Sequence, residues 1–500
     1  MMMKKYTYIL ILAVVATTIV SCKKFLNIVP VDNLSGNNFW QTKTDVEGFT
    51  NGLYARFRGK VGQGSGFSQV ADLRSAPLIS SGAGNYINLM STNNLRSLSA
   101  DGQWTGGYNF RTNTRWKEFF DVVAAANILY AKIDEVPAGV LSDTERKQYK
   151  AEAVFMRNLS YFMMVRLFGD VPYYTSAFSE ERLPRTPMVT VLRNCIADMD
   201  AVKGDLPWTY SDPSLIGVRA MRGSAIALLM HMNMWAAGFD QAEANRNNYY
   251  DAVISLGKEL ETSTDYRLLP YDNEQYKVIF KGRTKESLFE VFQNANNGEK
   301  LSQYSNVGFL LSHYPLKGSV NTTNSLAYYE KEWMDKIYSE GAPDGRKDAW
   351  FENRTVNNGT FQFKKFANVY AEGLNILNDD NVIIFRLSDA YLLAAEANAN
   401  RDSEGEAKRY LNMVRDRANA TVITSTGANL KDDIYYERVR ELMGEGHYFY
   451  DLVRTKKITE SKYAKNPISV TDFNAGAWTW PIDPVALVNN PNMTLNNYWR

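Results

Sequence analysis

The sequence predicts a mainly α fold in which paired helices form a scaffold, joined to an irregular, loop-rich part containing short β-strands. Three observations predict it. Long stretches repeat apolar residues at i, i+4, i+7 and i+8, the period of one helix face. These stretches come in consecutive pairs separated by Gly, Pro and capping residues. Between the two groups of pairs, short β-like runs such as "SLFEVFQ" and "TFQFKKF" alternate with Asn/Gly-rich segments.

In chain order, residues 1–21 read as a signal peptide. Met1 to Lys5 is a short positive region, and Tyr8 to Val20 is an apolar run too short to span a bilayer. Ile19-Val20-Ser21-Cys22 then resembles the bacterial lipobox, in which cleavage precedes the cysteine and its sulfur carries diacylglycerol. Cys22 is therefore the expected lipidation site, and several acyl chains on one residue anchor stably where one alone is marginal. With Cys22 lipidated, Cys195 is the only remaining thiol, so no internal disulfide is expected and stability must come from packing. Cys195 lies in an amphipathic run and reads as a buried structural thiol.

Residues 22–60 read as an extended N-terminal strap. Residues 60–115 are dense in Gly, Ser, Asn and aromatics, the composition of surface loops that carry binding groups. Residues 116–260 read as helical pairs. "LSDTERKQYKAEAVFMRNLSYFMMVRLFG" opens on a Ser142/Glu145 capping box, places Phe155, Leu159, Phe162 and Met163 on one face, and stops at Gly169 and Pro172. In "RAMRGSAIALLMHMNMWAAG", Gly223 and Ala227 are small residues four apart, spaced for a second helix to approach. Residues 262–380 form the irregular insertion. Residues 381–455 return to helical pairs, from "IIFRLSDAYLLAAEANAN" through a second capping box at Ser403/Glu406 to "IYYERVRELMGEGHYFYDLVRTKK". Pairs of this length resemble tetratricopeptide units, although no regular repeat is present. Residues 456–500, rich in Pro, Asn and aromatics, read as a C-terminal wrap over the helices. Everything from 22 to 500 is expected to be a single domain.

Little catalytic chemistry is visible. The net charge of +1 and the absence of a basic run argue against nucleic acid. The three histidines, His231, His313 and His447, are far apart in sequence, and no paired-Cys or HExxH spacing exists, so no metal and no cofactor is expected. No G-x-S-x-G elbow is present. Gly62, Gly64 and Gly66 lack the Lys-Ser/Thr that a phosphate loop needs. Glu441, Glu445 and Asp451 could supply a hydrolytic carboxylate pair, but they alternate with Arg438, Arg440 and Arg454 at salt-bridge spacing.

Taken together, the motifs resemble the SusD/RagB-like family of outer-membrane nutrient-binding lipoproteins. "SCKKFLNIVPVDNLSGNNFW" looks like that family's post-lipobox segment, and "EAVFMRNLSYFMMVRLFGDVPYY" (152–174) resembles its central helix signature. "RAMRGSAIALLMHMNMWAA", "IIFRLSDAYLLAAEANA", "LNMVRDRAN", "ERVRELMGEGHYFYDLVR" and "WPIDPVALVNNPNMTLNN" are similar to later motifs in the same order, from Cys22 to Asn497. The chain departs from the family pattern at Asn158, Ser388, Asp389, Gly444, Tyr448, Asp483, Ala486 and Leu495, and Lys23 and Lys24 stand where some relatives are acidic.

The resemblance implies a scaffold of four tetratricopeptide-like units. It also implies a non-catalytic protein, lipid-anchored on the outer face of a Bacteroidetes-type outer membrane, that captures oligosaccharides for a SusC-like TonB-dependent transporter. The family's ligand residues vary and do not transfer by motif. A glycan site needs exposed rings beside groups that bond hydroxyls. The candidates by that criterion are Trp104, Tyr86, Tyr108, Asn109, Asp72 and Arg74 in the loop-rich part, and Tyr314 and Trp350 in the insertion. Two other readings fit the same sequence: a helical-repeat protein for peptide or protein partners, and a lipid-anchored glycoside hydrolase.

Overall fold

In a computed structural model, the described residues are 39–500 except 62–70, 82–84, 101–114, 180, 272–275, 300–305, 314–315, 317–323, 367, 369, 373–374 and 489. The predicted signal peptide, Cys22 and the strap as far as Asn38 lie outside them. None of the described helices is long and apolar enough to cross a membrane.

The strap differs from expectation where it enters the fold. Residues Lys43–Val61 form a helix, α1, with Val46, Thr50, Leu53, Phe57 and Val61 buried along one face. Those spacings of three and four follow the helical period. The Asp45 carboxylate accepts the Thr42 backbone N–H at 2.7 Å, capping the first turn. The expected helix pairs follow. They are α2 (Lys117–Lys132) with α3 (Asp143–Phe168), α4 (Met188–Val202), α5 (Arg222–Phe239) with α6 (Glu243–Glu261), α7 (Leu387–Asn400) with α8 (Glu404–Arg417), then α9 (Gly427–Glu441) and α10 (Tyr448–Arg454). Short connections make sequence neighbours pack together, and α6 also packs on α7, which links the early pairs to the late ones.

Helix α3 is the axis of the core. Its Ser142/Glu145 capping box forms as expected, and Gly169, at φ +74°, ends it. Every residue from Ala151 to Phe168 is buried, not one face alone. A helix covered on all sides must satisfy its polar groups internally. Glu152 therefore pairs with Arg219 at 2.7 Å, Arg157 donates to the Asn127 side chain, and Asn158 donates to the Cys195 carbonyl. That last bond gives Asn158, a departure from the family pattern, a structural role. Cys195 is fully buried, and burial pushes its thiol pKa up, as expected of an inert core cysteine.

Small residues admit close contacts, though not where the sequence suggested. A Cβ on Gly223 would meet the Tyr266 ring at 2.6 Å, so a loop tyrosine occupies that notch. The close helix approaches are at Gly238, where a Cβ would lie 2.3 Å from the Arg454 carbonyl, and at Gly257, against Ala394. The second capping box does not form: Glu406 pairs with Arg409, and the Ser403 N–H is taken by the Asn398 carbonyl.

Four two-stranded antiparallel sheets are present among the described residues. β1 (Leu78–Ser80) pairs with β3 (Ala327–Tyr329), and β2 (Ser287–Val291) with β8 (Val382–Arg386). β4 (Phe351–Glu352) pairs with β5 (Gln362–Phe363), and β6 (Tyr370–Glu372) with β7 (Asn375–Leu377). "VIIF" thus belongs to a strand instead of opening the helix, as suits a β-branched run with a buried partner.

A buried ion network joins helices to insertion. Arg386, at the end of β8, meets Glu286 at 2.9 Å, Glu441 at 2.6 Å and Glu445 at 2.7 Å. Arg346 reaches Glu437 and Glu441 at 2.7 and 2.8 Å, Lys365 reaches Glu445 at 2.6 Å, and Arg417 bonds Glu286 and Glu441. Surrounding cations hold Glu441 well below the usual carboxylate range although its burial acts the other way. Gly444 stands beside this network at φ +82°, with the Phe366 ring where a Cβ would be, so an aromatic residue has no room there. Arg386→Ala leaves buried carboxylates uncompensated, and chemical denaturation should show a loss of about 3–5 kcal/mol. Lys117→Ala, which removes an exposed pair with Asp121, should cost about 0–1 kcal/mol.

Candidate functional site

The loop-rich part and the insertion are brought together by β1 and β3. Leu78 lies opposite Tyr329 and Ser80 opposite Ala327, and the Ser81 N–H continues the ladder to the Leu326 carbonyl. The Tyr86 ring packs on Phe309 with centroids 5.7 Å apart. Described residues of the two segments singled out separately for ligand contact thus pack against each other. Trp104, Tyr108, Asn109 and Tyr314 lie outside the described residues.

The other four candidates are core residues, a correction to the expectation of exposure. Asp72 is buried, and its carboxylate accepts the Gly446 N–H at 2.8 Å. Burial raises its pKa to about 7 against the pull of that bond and of Lys365. Arg74 is 0% exposed, donates to the Trp478 and Ala477 carbonyls at 2.6 and 2.5 Å, and stacks on Phe449 at 4.2 Å. Tyr86 is fully buried against Phe309. Trp350 is fully buried between Tyr271 and the Lys365 ammonium, 4.2 Å from its ring. Each is held inside by partners far away in sequence, which local composition does not reveal.

The described part of the insertion carries a polar cluster that the sequence did not suggest. His313 Nε2 lies 2.7 Å from a Glu352 oxygen and 2.9 Å from Gln362 Nε2. The Gln362 oxygen accepts the Ser312 and His313 N–H groups at 3.0 and 3.1 Å, fixing the chain just before residues 314–315. Lys364 stands 3.6 Å from Glu352. His313 and Glu352 are 44% and 38% exposed at their side chains, so both keep bonding capacity toward solvent. The exposed imidazole and carboxylate, held by the buried Gln362 amide and with the Lys364 ammonium nearby, suit a polyhydroxylated ligand.

The acids and histidines that the sequence singled out elsewhere are committed to structure. Glu441 and Glu445 belong to the ion network, and Asp451 bonds Arg438 and Arg454 at 2.8 and 2.7 Å. These acids pair mostly across elements, as the salt-bridge reading expects. His231 and His447, distant in sequence, meet in the fold: His231 Nε2 is 2.6 Å from Asp389, and the two imidazoles stack 5.3 Å apart. One ligand atom from each of His231, Asp389 and His447 falls within 4.8 Å of the others. Arg438, 2.9 Å from Asp389, already supplies that carboxylate with a positive charge and disfavours a cation there. Burial, opposed by Asp389, lowers the His231 pKa, and burial lowers that of His447 to about 4. His231 and Asp389 form a hydrogen-bonded core pair on which the His447 ring stacks, which accounts for Asp389, another departure from the family pattern.

Comparison with known proteins agrees along nearly the whole chain. The model of the SusD family matches residues 234–499, and a model described as starch-binding, associating with outer membrane, matches residues 39–234. A SusD homolog from Bacteroides thetaiotaomicron has a solved structure that is similar with a TM-score of 0.84 at 39% identity, covering 93% of this chain and 100% of that one. SusD-like protein P25 of Formosa agariphila is 26% identical over 483 residues, 87% of each chain. The starch-binding protein SusD of Bacteroides thetaiotaomicron is 23% identical over 566 residues, 98% of each.

Asp72 makes its burial measurable. Its folded pKa of about 7 exceeds the ordinary 3.8, so the stability it contributes is complete below pH 4 and is lost as pH rises through 7. The unfolding free energy of Asp72→Asn, measured against the parent chain from pH 4 to 8, should therefore improve relative to the parent as pH rises. A difference that stays flat across that range would mean that Asp72 is solvated.

Proposed function

Since the chain belongs to the SusD family, we propose that it is a cell-surface glycan-binding lipoprotein. It captures oligosaccharides and delivers them to a SusC-like TonB-dependent transporter in the outer membrane, without cleaving them. The observation that carries this reading is the pair of family matches, which together run from residue 39 to 499 and include the starch-binding model. A curated relative across 98% of the chain is a starch-binding protein. Binding without hydrolysis is supported by the fate of the acids: Glu441, Glu445 and Asp451 are buried and bonded to arginines or lysine, which leaves no role for them as a hydrolytic pair.

Ligand contact is assigned to the region bordered by β1, β3 and the His313 cluster. Of the candidates outside the described residues, Trp104 and Tyr108 are proposed for stacking and Asn109 and Tyr314 for bonding hydroxyls, and His313 and Glu352 supply the exposed polar edge. Cys22 carries the lipid, and the protein faces the cell exterior.

In native affinity electrophoresis across a panel of neutral polysaccharides, at least one glycan should retard the mature protein, with no reducing sugar released on prolonged incubation. Trp104→Ala should weaken that retardation at least about tenfold, as expected for loss of an aromatic anchor. Retardation by no glycan, or steady sugar release, would overturn the reading. Cys22→Ser should abolish incorporation of labelled palmitate and release the protein from the membrane fraction.

A further inference from the structure

On a different part of the molecule, an open cleft of about 620 Å³ lies between the ends of α3 and α5 and the C-terminal segment. That volume is within the range of small-molecule sites. Its floor holds Phe239 and Phe473, whose rings are nearly parallel at 10°. Over both rings sits the Lys456 ammonium, 4.1 Å from one centroid and 4.6 Å from the other. Lys456 is half-buried, and no carboxylate is paired with it among the described residues. Burial draws its pKa down to about 8. Its backbone is held at φ +62°, a conformation costly for a non-glycine residue, with its carbonyl bonded by the Thr459 N–H and hydroxyl.

The other charges of the cleft leave it net positive. Arg185 is tied by its three nitrogens to the Phe168, Asp170 and Thr494 carbonyls, and Arg500 donates to the Leu495 carbonyl. Asp170 is the single acidic lining residue, and one of its oxygens accepts the Met188 N–H. The exposed amides of Asn474 and Asn497 complete the wall.

We propose that this cleft is a second saccharide site, selective for an acidic sugar, with Lys456 as the residue that binds its anionic group. An ammonium seated on two ring faces is fixed in place and partly desolvated, so a carboxylate or sulfate ester entering the cleft gains a strong charge-assisted bond. The amides serve the hydroxyls of the same ring. The proposal rests on the carbohydrate-binding reading but uses none of the same residues.

Titration calorimetry on the mature chain tests it with trigalacturonate, a sulfated chondroitin tetrasaccharide and the neutral glycan identified by electrophoresis. At least one acidic probe should bind, and which one binds distinguishes carboxylate from sulfate recognition. Lys456→Gln should weaken that binding at least about tenfold and Lys456→Arg should largely keep it, while neutral-glycan binding and thermal stability stay unchanged in both. Trp104→Ala should show the converse pattern. Binding of neither acidic probe, equal binding to Lys456→Gln, or loss of acidic binding in Trp104→Ala would overturn the second site. A failure of neutral-glycan binding alone would instead overturn the family-based reading.

Discussion

The structure depends on a cluster of opposite charges placed where water cannot reach them. Arg346, Lys365, Arg386 and Arg417 interlock with Glu286, Glu437, Glu441 and Glu445, all buried or nearly so. Each ion would be costly alone, and the set is tolerable only when complete. Its members come from the start of one strand, the end of another, the irregular insertion and two late helices. Positioning one therefore positions the rest, and the helical scaffold and the insertion are held as one body. Asp72 and the Gly444–Gly446 turn sit at its edge, so the loop-rich segment is registered against the same centre.

Much of this architecture was legible in the sequence. The long helices followed from apolar periodicity, Ser142 and Gly169 marked the ends of α3, and the alternation of Arg and Glu in α9 foretold salt bridges. Local rules failed where a distant partner decided the outcome. Ser403 and Glu406 have the spacing of a capping box, but Arg409 and Asn398 take their bonding groups. Residues 382–386 became a strand because β2 lay ready to pair with them. Gly223 was read as a seat for a helix and is instead filled by Tyr266.

The candidate site divides on the same line. Asp72, Arg74, Tyr86 and Trp350 have the residue types of a sugar site within the right segments, yet their partners lie across the core and draw them inside. Composition cannot separate a ring facing a ligand from a ring facing another side chain, since the same surface serves both. The His313–Glu352–Gln362 cluster was invisible for the complementary reason: no spacing connects residue 313 with 352 and 362 until β4 and β5 pair. What remains is a rigid interior bordered by two polar regions of different character, one mixed in charge and one presenting an unpaired ammonium.

The grip of Arg74 on the far end of the chain bears on how the protein is made. Its guanidinium finds its acceptors 403 and 404 positions later, at Ala477 and Trp478, and Asp72 finds Gly446 374 positions later. Contacts of such separation close late, because the loop entropy must be spent before they return anything. Asp72 and Arg74 cannot take their native partners until residues 446 and 477–478 have been synthesised. A product truncated before Ala477 would lack both carbonyl acceptors of Arg74, and burying its guanidinium would then leave the donors unsatisfied.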